Sequence, residues 1–193
     1  MTASGSTPRR LVVDREYLTE VLVDLLEIPS PSGRTDHVTQ YVGERLASLD
    51  VPFTLTRRGA IQANLEGVSD DAARCIVAHT DTIGCIVTGL KENGRLAVRP
   101  IGTHSARFSE GASVRVFTDD LTAVITGTVL PLKASGHRWN DEVDTQGVGW
   151  EHVEVRLDER VASVADLRAL GIDVGDFVAL LSQPAISQSG FIK

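Results

Sequence analysis

The stretch Cys75-Ile76-Val77-Ala78-His79-Thr80-Asp81-Thr82-Ile83-Gly84 decides how the rest of the chain is read. A short apolar run with two β-branched residues, Ile76 and Val77, suits a strand buried on both faces, and it ends abruptly at a histidine and an aspartate. In open α/β sheets the carboxyl ends of parallel strands border the ligand crevice, so the run predicts that His79 and Asp81 point into a site rather than into the core. In extended chain the i, i+2 spacing puts both side chains on one side. There the carboxylate accepts a hydrogen bond from one ring nitrogen and leaves the other free for a metal ion. A His-x-Asp pair alone is a weak signal, more often a hydrogen-bonded surface turn. Its place at the end of a buried-type strand is what raises it.

Composition bounds the rest. The chain has 193 residues, 42% hydrophobic and 23% charged, which is ordinary for a globular protein with a real core. A net charge of −7 argues against nucleic-acid and anionic-membrane partners, which need clustered positive charge. No run approaches a transmembrane span, and Met1 to Arg10 lacks the apolar segment of a signal peptide. The expected compartment is the cytoplasm. Cys75 and Cys85 lie in or beside strands without C-x-x-C spacing, which predicts buried thiols in a reducing environment.

Outward toward the N-terminus, residues 1–13 are expected to be a disordered lead-in. Asp14 to Glu27 carries apolar residues at helical spacing behind an Asp14 N-cap, and Ile28-Pro29-Ser30-Pro31-Ser32-Gly33 cannot continue a helix. A second helix is predicted from Thr35 to Leu49, with Val38, Tyr41, Val42, Leu46 and Leu49 on its buried side, and His37 solvated in its first turn. Pro52–Thr56 and Ala60–Leu65 read as strands around Arg57-Arg58-Gly59, followed by a linker from Gly67 to Ala73. The first unit, 14–84, is therefore the opening of an α/β domain.

Outward toward the C-terminus the pattern changes. Cys85–Leu90 and Arg95–Pro100 flank an Asn93-Gly94 hairpin signal, and Val114–Thr118 and Ala123–Leu130 flank a turn at Asp119-Asp120. Val153–Leu157 is another strand, and Lys133 to Val148 is a polar loop. Ser163 and Asp166 form a capping box for a helix stopped by Gly171, and Phe177–Leu181 is the last strand. Residues 85–181 thus read as an inserted all-β module, with 182–193 as a return strand into the first domain.

Four stretches carry a specific resemblance: Leu26-Glu27-Ile28-Pro29-Ser30-Pro31-Ser32-Gly33; Ala78-His79-Thr80-Asp81-Thr82-Ile83-Gly84; Leu96-Ala97-Val98-Arg99-Pro100-Ile101-Gly102; and Leu170-Gly171-Ile172-Asp173-Val174-Gly175-Asp176-Phe177. In order and spacing the chain resembles the tetrahedral, glutamyl-aminopeptidase-like family of bimetallic peptidases, some members of which are called endoglucanases. Leu130-Pro131-Leu132-Lys133-Ala134-Ser135-Gly136-His137 and Ser189-Gly190-Phe191-Ile192-Lys193 look most like a branch associated with the N-acetylglutaminylglutamine amide osmoprotectant system. The resemblance implies an α/β phosphorylase/hydrolase-like zinc-peptidase domain interrupted by a β-barrel dimerisation domain. It implies two divalent metal ions, zinc or cobalt, a peptide substrate, and homo-oligomers built from dimers into dodecamers. By position, His79 is the implied terminal ligand of one metal ion and Asp81 the carboxylate that orients it.

The chain departs from that family beyond the inserted module. There the family places its bridging aspartate, its adjacent glutamates, a further aspartate and its last histidine, whereas this sequence reaches Lys193 first. A catalytic zinc needs three protein ligands and an open position. The expectation is therefore the N-terminal portion of a metallo-aminopeptidase, inactive alone. The alternative is a non-catalytic assembly module that pairs through its barrel, or the product of a decayed gene. His104 and His152 are expected to be structural. The later carboxylates, Glu154 among them, are expected to form a solvated acidic surface.

Overall fold

The computed structural model describes residues 12–67, 74–120 and 122–193. Most of the expected lead-in, residues 1–11, and most of the linker, 68–73, lie outside the described residues.

Two helices open the described chain. Helix α1 (Arg15–Glu27) starts where the Asp14 carboxylate accepts the backbone N–H groups of Glu16 and Tyr17, donors that a helix cannot satisfy internally. Helix α2 (Asp36–Ser48) buries Val38 and Gly43, and Phe53 lies directly over Gly43. Leu49, expected on the buried side, is exposed just past the helix end. The two helices are clasped by Arg45, whose guanidinium donates to Asp24 at 2.8 Å and Glu20 at 2.7 Å, while the Tyr41 hydroxyl donates to Asp24 at 2.6 Å. Strands β1 (Phe53–Leu55) and β2 (Ile61–Ala63) pair only with each other, antiparallel.

The remaining strands close a barrel. β3 (Gly84–Leu90), β4 (Leu96–Ile101), β5 (Ser113–Phe117), β6 (Ile125–Pro131), β7 (Val153–Leu157) and β8 (Phe177–Leu180) follow the order β3-β4-β7-β6-β5-β8, every pair antiparallel. Closure removes the unpaired edges that an open sheet exposes. The valine-rich alternation supplies the interior: Val87, Val98, Val114, Val116, Val129, Val155 and Val178 are all buried. Each such side chain contributes about 1.5–3 kcal/mol on leaving water. Leu167 of helix α5 (Val164–Ala169) and the following Ile172 are also fully buried. Ser163 and Asp166 reciprocate as a capping box at the start of α5. The loop expected between β6 and β7 instead contains two single-turn helices, α3 (Gly136–Trp139) and α4 (Glu142–Thr145), tied by the Gln146 side chain to Lys133. These turns are too short to show a period in sequence.

The run before β3 departs from its sequence reading. Residues 74–83 form no strand beyond a single bridge at Thr82, and Ile76 and Val77 are 95% and 87% exposed. A two-faced strand needs neighbours on both edges, and no described residue pairs with this run. Cys75 is exposed with it, whereas Cys85 is buried and its thiol is pushed up to about 12 by desolvation. Within 182–193 the chain doubles back through Ala185–Lys193 and Ser187–Phe191 backbone bonds around one Ile186–Ile192 bridge.

The turn after α1 joins the α/β unit to the barrel. Thr82 N–H donates to the Ser30 carbonyl at 2.8 Å, Ser30 N–H to the Thr82 hydroxyl at 3.1 Å, and the Ser30 hydroxyl to the Thr80 carbonyl at 3.1 Å. Pro31 packs on Gly84 so closely that an added Cβ there would stand 2.4 Å from the proline Cβ. Gly33 faces the Phe177 ring, and Arg34 stacks over Phe117.

Candidate functional site

His79 and Asp81 stand at this joint, just before the chain enters β3. The His79 Nδ1 lies 3.0 Å from Asp81 Oδ1 and 3.2 Å from the Asp81 carbonyl oxygen. Both partners are acceptors, so in the neutral ring Nδ1 carries the hydrogen and Nε2 the lone pair. The ring is 83% exposed among the described residues. The other Asp81 oxygen, Oδ2, accepts from the Ser32 hydroxyl. The Ser32 hydroxyl first, and then the His79 ring, hold the Asp81 carboxyl below the ordinary carboxylate range against the opposing effect of desolvation.

A crevice of about 590 Å³ borders the pair, lined among others by Ser32, Thr35, Thr39, Arg58, His79 and Asp81. The β1–β2 turn therefore carries Arg58 to the same crevice as the imidazole.

Among the described residues, no three His, Cys, Asp or Glu side chains converge as a metal site. The chain can offer a cation one oriented imidazole with its supporting carboxylate and hydroxyl, which fits one terminal ligand and falls short of a full coordination set. His104 and His152 do not join it. His104 packs edge-on against Trp150 at 4.9 Å, and neither of its buried ring nitrogens has a hydrogen-bond partner. His152 lies beside Gly147 and Glu151. Of the carboxylates expected on a solvated surface, Glu154 is instead 3% exposed and held by Lys91 and Arg95. Sequence reasoning assigned Ser32 no role, because a contact across 49 residues leaves no local pattern.

An α/β unit joined to a closed antiparallel barrel, with an imidazole and carboxylate at the joint, defines a two-part architecture. The chain belongs to the M42 glutamyl aminopeptidase family, whose model matches residues 59–193. It is 35% identical over 174 residues to YhfE, a candidate aminopeptidase of Bacillus subtilis (strain 168), covering 90% of this chain and 50% of YhfE. It is 24% identical over 169 residues to the glutamyl aminopeptidase of Lactococcus lactis subsp. cremoris, covering 86% of this chain and 46% of that protein. Among solved structures, the TET aminopeptidase of the marine sediment archaeon Thaumarchaeota archaeon SCGC AB-539-E09 superposes with a TM-score of 0.76 at 21% identity, over 92% of this chain and 48% of the other. The TET1 peptidase of Pyrococcus horikoshii, which can assemble into a tetrahedron or a large octahedral shell, superposes with a TM-score of 0.71 at 20% identity, over 89% and 49%. The chain thus spans about half the length of the relatives it matches. The mixed α/β fold with a six-stranded barrel is that of this family's N-terminal half. No described helix is long and apolar enough to cross a membrane.

Proposed function

We infer that this chain is the front portion of a metal-dependent aminopeptidase that removes N-terminal residues from peptides, with His79 as one terminal metal ligand and Asp81 as the carboxylate that orients it. The observation that carries this reading is the ring geometry: Nδ1 committed to acceptors at 3.0 and 3.2 Å on an imidazole that is 83% exposed and lines the crevice. Two divalent ions, zinc or cobalt, would supply an activated water and polarise the scissile carbonyl when bound. The chain's own part is narrower. It orients one imidazole, holds the supporting carboxylate ionised, and roots both in the joint with the barrel. The remaining ligands and the general base would come from residues beyond those described. The barrel would pair subunits, as a dimerisation unit of a larger homo-oligomeric shell, in the cytoplasm.

His79→Ala in a polypeptide that extends past Lys193 tests this. Bound zinc or cobalt is expected to fall, together with hydrolysis of a peptide bearing a free N-terminus. Unchanged metal content and unchanged trimming would sink the reading. A second reading, an assembly module without catalysis, draws on Phe108, Val124 and Val174, all exposed on the barrel's connecting loops. Light scattering on the 193-residue chain addresses it: a homodimer that is lost when Phe108, Val124 and Val174 are replaced by serine supports pairing through the barrel, and a monomer at all concentrations, or association indifferent to those replacements, removes it.

A further inference from the structure

Asp81 has two carboxylate oxygens, and the fold gives each a different partner. Oδ1 faces His79 Nδ1 at 3.0 Å, and Oδ2 accepts from the Ser32 hydroxyl. A carboxylate held at one oxygen turns readily, because its terminal torsion is broad and two-fold. A second bond from another chain segment removes that freedom. Ser32 is itself unable to follow a moving carboxylate, since its turn is fixed by the Thr82-to-Ser30 bond at 2.8 Å, by Pro31 against Gly84 and by Gly33 against Phe177. The His79 ring has no comparable support from the packing around it, being 83% exposed.

We propose that Ser32 is a positioning residue that acts through Asp81 to fix the ring plane of His79 and keep its hydrogen on Nδ1, so that Nε2 is presented bare to a cation. This role rests on the metal-ligand reading of His79. Ser32 touches neither the ring nor the cation; it sets which oxygen of Asp81 the ring meets, and at what angle. Without the hydroxyl, the carboxylate rotates and water competes for Oδ1. The ring then populates both tautomers and turns about its own side-chain torsions.

The test is side-chain ¹H–¹⁵N correlation spectroscopy of the five histidine rings in the 193-residue chain, with His79 assigned through His79→Gln. Spectra are taken about two pH units above the ordinary imidazole value, where tautomers rather than charge are read. The native chain should show well-separated His79 nitrogens, Nδ1 of the protonated type and Nε2 of the bare type. Ser32→Ala should draw the two resonances toward each other while the barrel amides stay in place, and Ser32→Thr, which keeps a hydroxyl, should restore the separation. Three results would each overturn the proposal: His79 nitrogens already averaged in the native chain, a His79 ring unmoved by Ser32→Ala, or Ser32→Thr behaving as Ser32→Ala with the barrel intact. The readout needs neither metal nor turnover. Its failure therefore leaves the metal-ligand reading to His79→Ala and metal content, and failure there would not appear in the ring spectrum.

Discussion

Glu154 shows what a single residue can hide. It sits at the second position of β7, and its carboxylate meets Lys91 Nζ at 2.5 Å and the Arg95 guanidinium across the barrel wall. Strict alternation would send an acidic side chain in this strand to solvent. The two cations arrive from the β3–β4 turn, about sixty positions earlier in the chain, and cover it. Local pattern gave no sign of that pairing, and for the same reason none of the Ser32–Asp81 bond. Glu154→Gln should destabilise the barrel by about 1–3 kcal/mol, since charge-assisted bonds to a buried acceptor are lost while Lys91 and Arg95 can still reach water. Urea denaturation checks it, and an unchanged midpoint would refute it. Gly84 is a second such position. A methyl there meets Pro31 and the Val178 carbonyl at 2.4 and 2.9 Å, a ring and a strand backbone that cannot yield cheaply. Gly84→Ala should lower stability by about 1–3 kcal/mol in the same assay.

At the scale of elements, the barrel strands were legible because each alternates or runs apolar between turn residues, and β3–β4 is announced by Asn93-Gly94. The run 75–78 was misread for the opposite reason. Its composition describes a strand between two others, and the partners that would make it one are not among the described elements. The His79–Asp81 contact survives without that strand because the Ser30–Thr82 bonds, not a sheet, hold the segment. The segment between β4 and β5 makes a further prediction. His104 is desolvated against Trp150, whose indole N–H donates to the His104 carbonyl at 3.2 Å, and burial pushes the imidazole below its ordinary value of 6.5. A depressed folded value means that the neutral ring's contribution is present above the unfolded value and lost as pH falls through the folded one. Thermal stability should therefore decline below about pH 6.5, and His104→Phe, which keeps the ring contact with Trp150, should flatten that decline. Melting temperatures at pH 7.5 and 5 that fall equally in both proteins would count against it.

At the scale of the whole molecule, apolar surface is concentrated on the α/β unit: Leu18 and Leu22 on α1, Leu55 and Leu65 around the hairpin, and Ile76 and Val77 before the joint are all exposed. Exposed apolar surface of this kind, where it is contiguous, marks a site of association. The 193-residue chain should bind a hydrophobic dye and self-associate as concentration rises, and replacing Ile76 and Val77 together by serine should reduce both. Sedimentation showing an ideal monomer without dye binding would contradict this.

The barrel also has its doorway and its way out on neighbouring staves: β3 and β8 are adjacent, and Leu180 N–H reaches the Ile83 carbonyl at 3.3 Å. Roughly a hundred residues therefore begin and end within one interstrand gap of about 5 Å. Such a unit behaves as a removable cassette. A few glycines bridging 83 and 181 could replace the whole cylinder without stretching the polypeptide that carries His79.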